Sequence, residues 1–361
     1  MADSFAAMEY DTVVTASSCQ SDTFLGDASH YWRVRAGAGS WGDYSSAWRF
    51  TLDTQPPAKT SHVLPNPGQL INTQKPAFDY SDISDAFRYQ LQLCRDSAFA
   101  VLETDTLVSA GGCTLQTPLS DGRHWWHVRA RDLAGNWAPW SDSTYFRLDT
   151  QAPGAPTAIT ANGANPSLWT KNNSFNVSFT PPFDSSAIQY YYYKYGSAPS
   201  SNYDTTGQGY HSTTLPIPVS VQNIGVTPFY VWARDNAGNL DYRNNAMVNL
   251  RYDTIPPYGA IARSNEFSRT TNFTVSWNDG TDQGGSGLKD YYYIKMKVNS
   301  GTWNDLNTYY AGNSYIYAGV QGSKYYFEVA ALDSAGNTEA FATVAECSTL
   351  VDNTITCPIL V

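Results

Sequence analysis

The stretch Trp126-His127-Val128-Arg129-Ala130-Arg131-Asp132-Leu133-Ala134-Gly135-Asn136 decides the fold, because the chain writes it four times. Shorter or altered copies run Trp32-Arg33-Val34-Arg35-Ala36, from Phe229 to Asn239 and from Phe327 to Asn337. Each alternates apolar with polar residues; three then break into Asp, Gly and Asn, the pattern of a strand entering a tight turn. About fifteen residues later a second marker follows: LDTQPP at 52–57, LDTQAP at 148–153, YDTIPP at 252–257 and a degenerate VDNTITCP at 351–358. The marker residues Asp53, Asp149, Asp253 and Asp352 thus stand about a hundred residues apart, the length of a domain and not of a solenoid rung.

Period-two alternation also marks Phe87-Arg88-Tyr89-Gln90-Leu91-Gln92-Leu93, Phe175-Asn176-Val177-Ser178-Phe179 and Phe273-Thr274-Val275-Ser276-Trp277. Gly, Asn, Asp, Ser and Pro clusters separate these runs, and no long helical period competes with them. The reading is all-β: tandem antiparallel β-sandwiches with boundaries at 1–54, 55–150, 151–254 and 255–361. Residues 1–19 align without a gap on residues 95–113, sharing Phe5, Ala6, Glu9, Asp11, Thr12, Val14, Ala16 and Cys19 with their counterparts. The first repeat is therefore expected to be a C-terminal half that lacks about three of seven strands. The chain is then a window on a longer protein, and its unpaired edges are open to strand exchange with another chain.

A formal charge of −10, with only 22 Lys and Arg, argues against nucleic acid as a partner. No run reaches transmembrane length, so membrane insertion is not expected. Cys94 and Cys113 share one repeat and are read as a disulfide, with two reduced buried thiols as the alternative. Cys19 is then an orphan, and pairing of Cys347 with Cys357 stays open. Prolines after each marker, Pro56-Pro57, Pro153 with Pro156, and Pro256-Pro257, predict short, semi-rigid connectors and an elongated rod.

HYWRVRA at 30–36, HWWHVRARDLAGNWAPWS at 124–141 and YYFEVAALDSAGN at 325–337, each followed by its boundary marker, resemble tandem fibronectin type III-like and bacterial Ig-like repeats of large extracellular surface proteins. The resemblance covers the whole chain. It implies that the phrase is the sixth strand, that aromatics at second-strand positions (Tyr80, Phe179 and Trp277) pack beneath it, and that the protein is extracellular, secreted or attached to a cell surface. Related Ig-like repeats bind calcium at domain junctions. The resemblance thus extends to a calcium ligand set of Asp132, Asn136, Asp149, Asp235, Asn239, Asp253, Asp333, Asn337 and Asp352, since calcium takes six to eight oxygens. The competing reading has each Asp capping its own turn, with Gly135, Gly238 and Gly336 supplying positive φ.

Catalytic motifs are lacking: there is no Cys-x-x-Cys, His-Glu-x-x-His, phosphate-binding loop or Gly-x-Ser-x-Gly. The histidines show no repeated partner that would form a dyad, and the chain is read as non-catalytic. The tyrosine runs at 190–195 and 291–293 offer outward rings for stacking on sugars, with Tyr191, Tyr193, Trp232, Tyr292 and Trp303 as glycan contacts. Their alternative is cross-strand packing. The functional expectation is a structural or adhesion segment contacting a polysaccharide or cell-surface ligand and further repeats of the same protein. The alternative is an accessory carbohydrate-binding region of a secreted glycan-active enzyme.

Overall fold

The computed structural model describes residues 8–109, 111–204, 210–306 and 309–354. Among these every regular element is a strand, and no helix is long and apolar enough to cross a membrane. The chain divides into two compact units, Met1–Thr150 and Gln151–Val361.

In the first unit, strands Ala28–Trp32 and Trp48–Leu52 form an antiparallel hairpin that sets His30 opposite Phe50 and Trp32 opposite Trp48. A sandwich follows. Its smaller sheet joins His62–Leu64, Ala77–Tyr80 and Gly112–Thr114. The larger runs Leu70–Ile71, Thr144–Leu148, Gly122–Arg131, Arg88–Cys94, Leu102–Val108. The repeated phrase is thus the central strand Gly122–Arg131, paired on both sides. Its alternate residues Trp126, Val128 and Ala130 are fully buried with Leu91, Leu93 and Phe146. Truncating Trp126 to Ala would cost about 3–5 kcal/mol in lost burial and cavity formation.

The second unit holds two further sandwiches. In one, Thr157–Ala161, Ser174–Thr180 and Ile217–Ser220 form a sheet, and Tyr210–Ser212, Ile188–Tyr195, Gly225–Asp235 and Ala246–Tyr252 form the other. In chain order this is 1-2-5 over 4-3-6-7, the fibronectin type III-like arrangement. The last sandwich pairs Ala262–Ser264, Asn272–Trp277 and Ser314–Ala318 against a sheet centred on Lys324–Asp333 and Leu288–Val298. Separate apolar cores span residues 159–250 and 260–351. The fold is therefore all-β, built of tandem fibronectin type III-like sandwiches.

The hairpin's apolar face is open: Trp32 is 47% exposed, Val34 53% and Phe50 42%, whereas their counterparts Trp126, Val128 and Phe146 are fully buried.

Two expectations need correction. Cys94 and Cys113 are both free thiols. Cys94 ends a strand of the larger sheet and donates to the Val101 carbonyl at 2.8 Å. Cys113 lies on the smaller sheet opposite Phe78, so the two occupy different layers with the Cys94 thiol engaged locally. Cys19 and Cys347 are also free, and Cys357 lies outside the described residues. The second-strand aromatics differ as well. Tyr80, Phe179 and Trp277 are buried, but they meet the third-strand rings Tyr89, Tyr191 and Tyr292. Phe78, two residues before Tyr80, is the ring against Trp126 of the phrase strand, with centroids 4.9 Å apart.

Candidate functional site

The loop closing each phrase strand is a capped turn. Asp132 accepts the Gly135 and Asn136 backbone N–H at 2.7 and 2.8 Å and the Asn136 amide at 2.8 Å. Asp235 holds Gly238 N, Asn239 N and Asn239 Nδ2 in the same way, and Asp333 holds Asn337 N and Nδ2. Gly135, Gly238 and Gly336 sit at φ of 106°, 99° and 92°, a region that L side chains avoid. Each Asn thus points its amide nitrogen at the carboxylate, as a donor. Asn136 also donates to Asp53 O at 2.9 Å and Asn337 to Asp253 O at 3.0 Å, fastening the loop to the end of the preceding marker strand.

In the second unit one turn becomes more than a cap. Asp253, Asp282 and Asp333 bring carboxylate oxygens within 4.8 Å of one another, with Asp253 and Asp333 fully buried. Like charges at that separation repel by roughly 3.5 kcal/mol per pair at an effective dielectric of about 20. Backbone donors meet part of this. Asp253 accepts Ile255 N at 2.9 Å and Ser286 N at 3.1 Å, and Asp282 accepts Gly284 N at 2.8 Å and Gly287 N at 2.6 Å. Lys171 donates to the nearby Gly336 carbonyl at 3.4 Å. Gly284 lies so close that any Cβ there would overlap the Asp253 carboxylate. The donor set is all oxygen and multiply anionic, and it fits a hard divalent cation.

Of the nine residues expected at calcium sites, Asp253 and Asp333 meet here, with Asn337 on the same loop. The third carboxylate, Asp282, is new. It enters from the loop before the third strand, where Asp282 precedes Ser286 much as Asp184 precedes Ser186, a recurrence the sequence contains. Asp132, Asn136, Asp235 and Asn239 cap turns in their own loops. Asp149 is buried, with its N–H on Ile71 O at 3.0 Å. Asp352 is held by Thr354 and Gln321. Thr354 first among its donors lowers its carboxyl below the usual range.

The expected glycan contacts are mostly not surfaces. Tyr191 and Tyr292 are buried in the cores, and Tyr193 packs on its core beside Phe229 at 5.4 Å. A bulge between Ile188 and Tyr190, and another between Leu288 and Tyr292, shift the register of these strands. Trp232 does point away from the core, yet it is fully buried: Tyr192 stacks on it at 5.8 Å, and Asn202 O accepts its Nε1 proton at 3.1 Å. Trp303, like Tyr193, keeps partial exposure, with Lys297 4.8 Å over its ring. The rings on the outer face are Tyr190, Tyr192 and Tyr203, and Tyr291 and Tyr293 in the last sandwich.

The histidines are partnered after all. His124 Nδ1 meets Glu103 Oε2 at 2.7 Å and its Nε2 meets Ser120 O at 2.9 Å; His30 repeats this with Glu9 and Gly26, both at 2.8 Å. His30 is raised above its ordinary pKa, by the Gly26 carbonyl first and by Glu9. A third ring, His127, lies between Phe99 at 3.8 Å and Trp140 at 3.9 Å. Arg129 covers Trp140 and Trp137 at 4.3 and 4.2 Å. These layers fill the outer sheet face with cation–π contacts.

No family model matches the chain. Over 341 residues it is 24% identical to Exoglucanase B of Cellulomonas fimi, a match that takes in 90% of this chain and 29% of that protein's length. The chain thus spans less than a third of that relative. Its structure is similar to the crystal structure of chicken CNTN1 FN1-FN3 domains, at 12% identity and a TM-score of 0.29, with 82% of this chain and 98% of the other covered. The fold assignment rests on the strand order.

Proposed function

We propose that the chain is a non-catalytic extracellular spacer, divided at 1–54, 55–150, 151–254 and 255–361, whose joint between the last two sandwiches is stiffened by calcium. The observation that carries this reading is the set of three carboxylates within 4.8 Å of one another at the marker aspartate Asp253. Asp253, Asp282 and Asp333 would hold the ion, which supplies positive charge to a site of buried anions and ties the strand end at Asp253 to two loops of the next sandwich. Such linkage stabilises the folded state by mass action. Unfolding of the whole chain followed with calcium and with chelator tests it. A calcium-dependent rise in Tm that is lost in Asp282→Asn is expected, and an unchanged Tm would sink the calcium joint.

A second reading is favoured by the 24% identity to an exoglucanase along 90% of this chain. Here the repeats act as an accessory region that binds polysaccharide for a glycan-active enzyme. Retention of the whole chain on insoluble polysaccharide is its test, and passage without retention counts against it.

A further inference from the structure

We propose that the third sandwich carries a saccharide-binding subsite in the cleft between residues 200–203 and 240–243. The inference rests on the polysaccharide-binding reading and places the site away from the strand tyrosine runs.

The cleft is open and holds about 670 Å³. Tyr203, 62% exposed, stands on one wall and Tyr242 on the other, with Ser200, Ser201, Asp241 and Arg243 among the polar groups between them. Two aromatic rings offer flat apolar faces to the C–H face of a pyranose. A hydroxyl both donates and accepts, and the cleft supplies acceptors in Asp241 and Ser200, donors in Arg243 and both in Ser201. Asp241 and Arg243 cancel in charge, which suits an uncharged sugar chain over an anionic one.

Both walls are built to hold still. Asn202 donates to Leu240 O at 2.8 Å and accepts Tyr242 N at 2.9 Å, so one side chain ties the two segments together. Beneath it Trp232 Nε1 donates to Asn202 O at 3.1 Å. Asp204, buried, accepts Lys194 Nζ at 2.9 Å and both Ser200 N and Ser200 Oγ at 2.8 and 2.9 Å. Pre-ordering of this kind lowers the entropic cost of binding.

The test is a depletion assay of the full chain on swollen cellulose, xylan and chitin, with circular dichroism and Tm on every variant. Tyr203→Ala and Tyr242→Ala should each weaken binding roughly tenfold, about one stacking contact, while Tyr203→Phe and the distant Tyr291→Ala bind as the parent does. Tyr203 is exposed, so its substitution leaves Tm unchanged and separates lost binding from lost folding. Parent-like binding by both alanine variants would overturn this subsite and leave the polysaccharide reading standing. Failure of the parent chain on all three polymers would overturn both.

Discussion

The His124 imidazole lies 2.7 Å from the Glu103 carboxylate while its other nitrogen faces the Ser120 carbonyl at 2.9 Å. A backbone carbonyl and a carboxylate both accept, so each ring nitrogen faces an acceptor. Arg95 supports the same glutamate at 2.7 Å. With His124 fully buried, Glu103→Gln removes a charged acceptor from a ring that cannot turn to water. Urea unfolding should show a loss of about 1–3 kcal/mol, and an unchanged midpoint would show that the pair contributes nothing.

His127 gives a pH dependence of defined sign. Burial first, then the Arg129 and His62 charges, lower its pKa to about 4 against a weaker opposing pull from Asp105. The folded state thus holds the ring neutral where the unfolded chain would protonate it. Its contribution is fully present above about pH 6.5 and is lost as pH falls from there toward 4. Ring-proton NMR should place the His127 midpoint near pH 4, and a midpoint near 6.5 would refute the stacked, dry environment.

Lys194 and Asp204 form an ion pair with both side chains buried. Lys194→Met strands a carboxylate in the interior and should cost about 3–5 kcal/mol, with part of it recovered by adding Asp204→Asn. The half-exposed pair Lys295 with Asp305, 4.0 Å apart, is the contrast. Its removal should shift stability by less than about 1 kcal/mol.

Gly284 has no room for a methyl group beside Asp253, whereas Gly154 has nothing within 4 Å of a built Cβ. Gly284→Ala is expected to destabilise the chain by about 1–3 kcal/mol through overpacking and to weaken any calcium-dependent gain. Gly154→Ala should leave the unfolding midpoint where it is. Equal midpoints for the two variants would mean that the loop yields freely.

Strand identity and repeat length are legible in the chain because alternation and turn residues are local signals. Facing is not. Tyr190 to Tyr193 are four like residues in succession, so no apolar-polar contrast says which of them point inward, and the bulge at Ile188 changes the count besides. Trp232 shows a different limit: its outward parity follows from the alternation Phe229, Val231, Ala233, but a loop thirty residues upstream covers it. The His–Glu pairs were within reach, since Glu9 with His30 and Glu103 with His124 keep the same spacing in both repeats. Partners that lie far apart in sequence leave no mark in the alternation of a single strand. Asp282 escaped because its loop is longer and more Gly-rich than its counterpart at Asp184.

Asn136 and Asn337 each send one amide across a connector to the backbone oxygen of a marker aspartate. The loop of each of these sandwiches therefore takes a hydrogen-bond acceptor from the residues before the prolines that punctuate the sequence. An expression fragment begun at residue 55 discards the acceptor that its own loop needs, while one begun at residue 53 keeps it. Chimaeras that splice repeats from different sources will join most cleanly when the aspartate travels with the sandwich downstream of it.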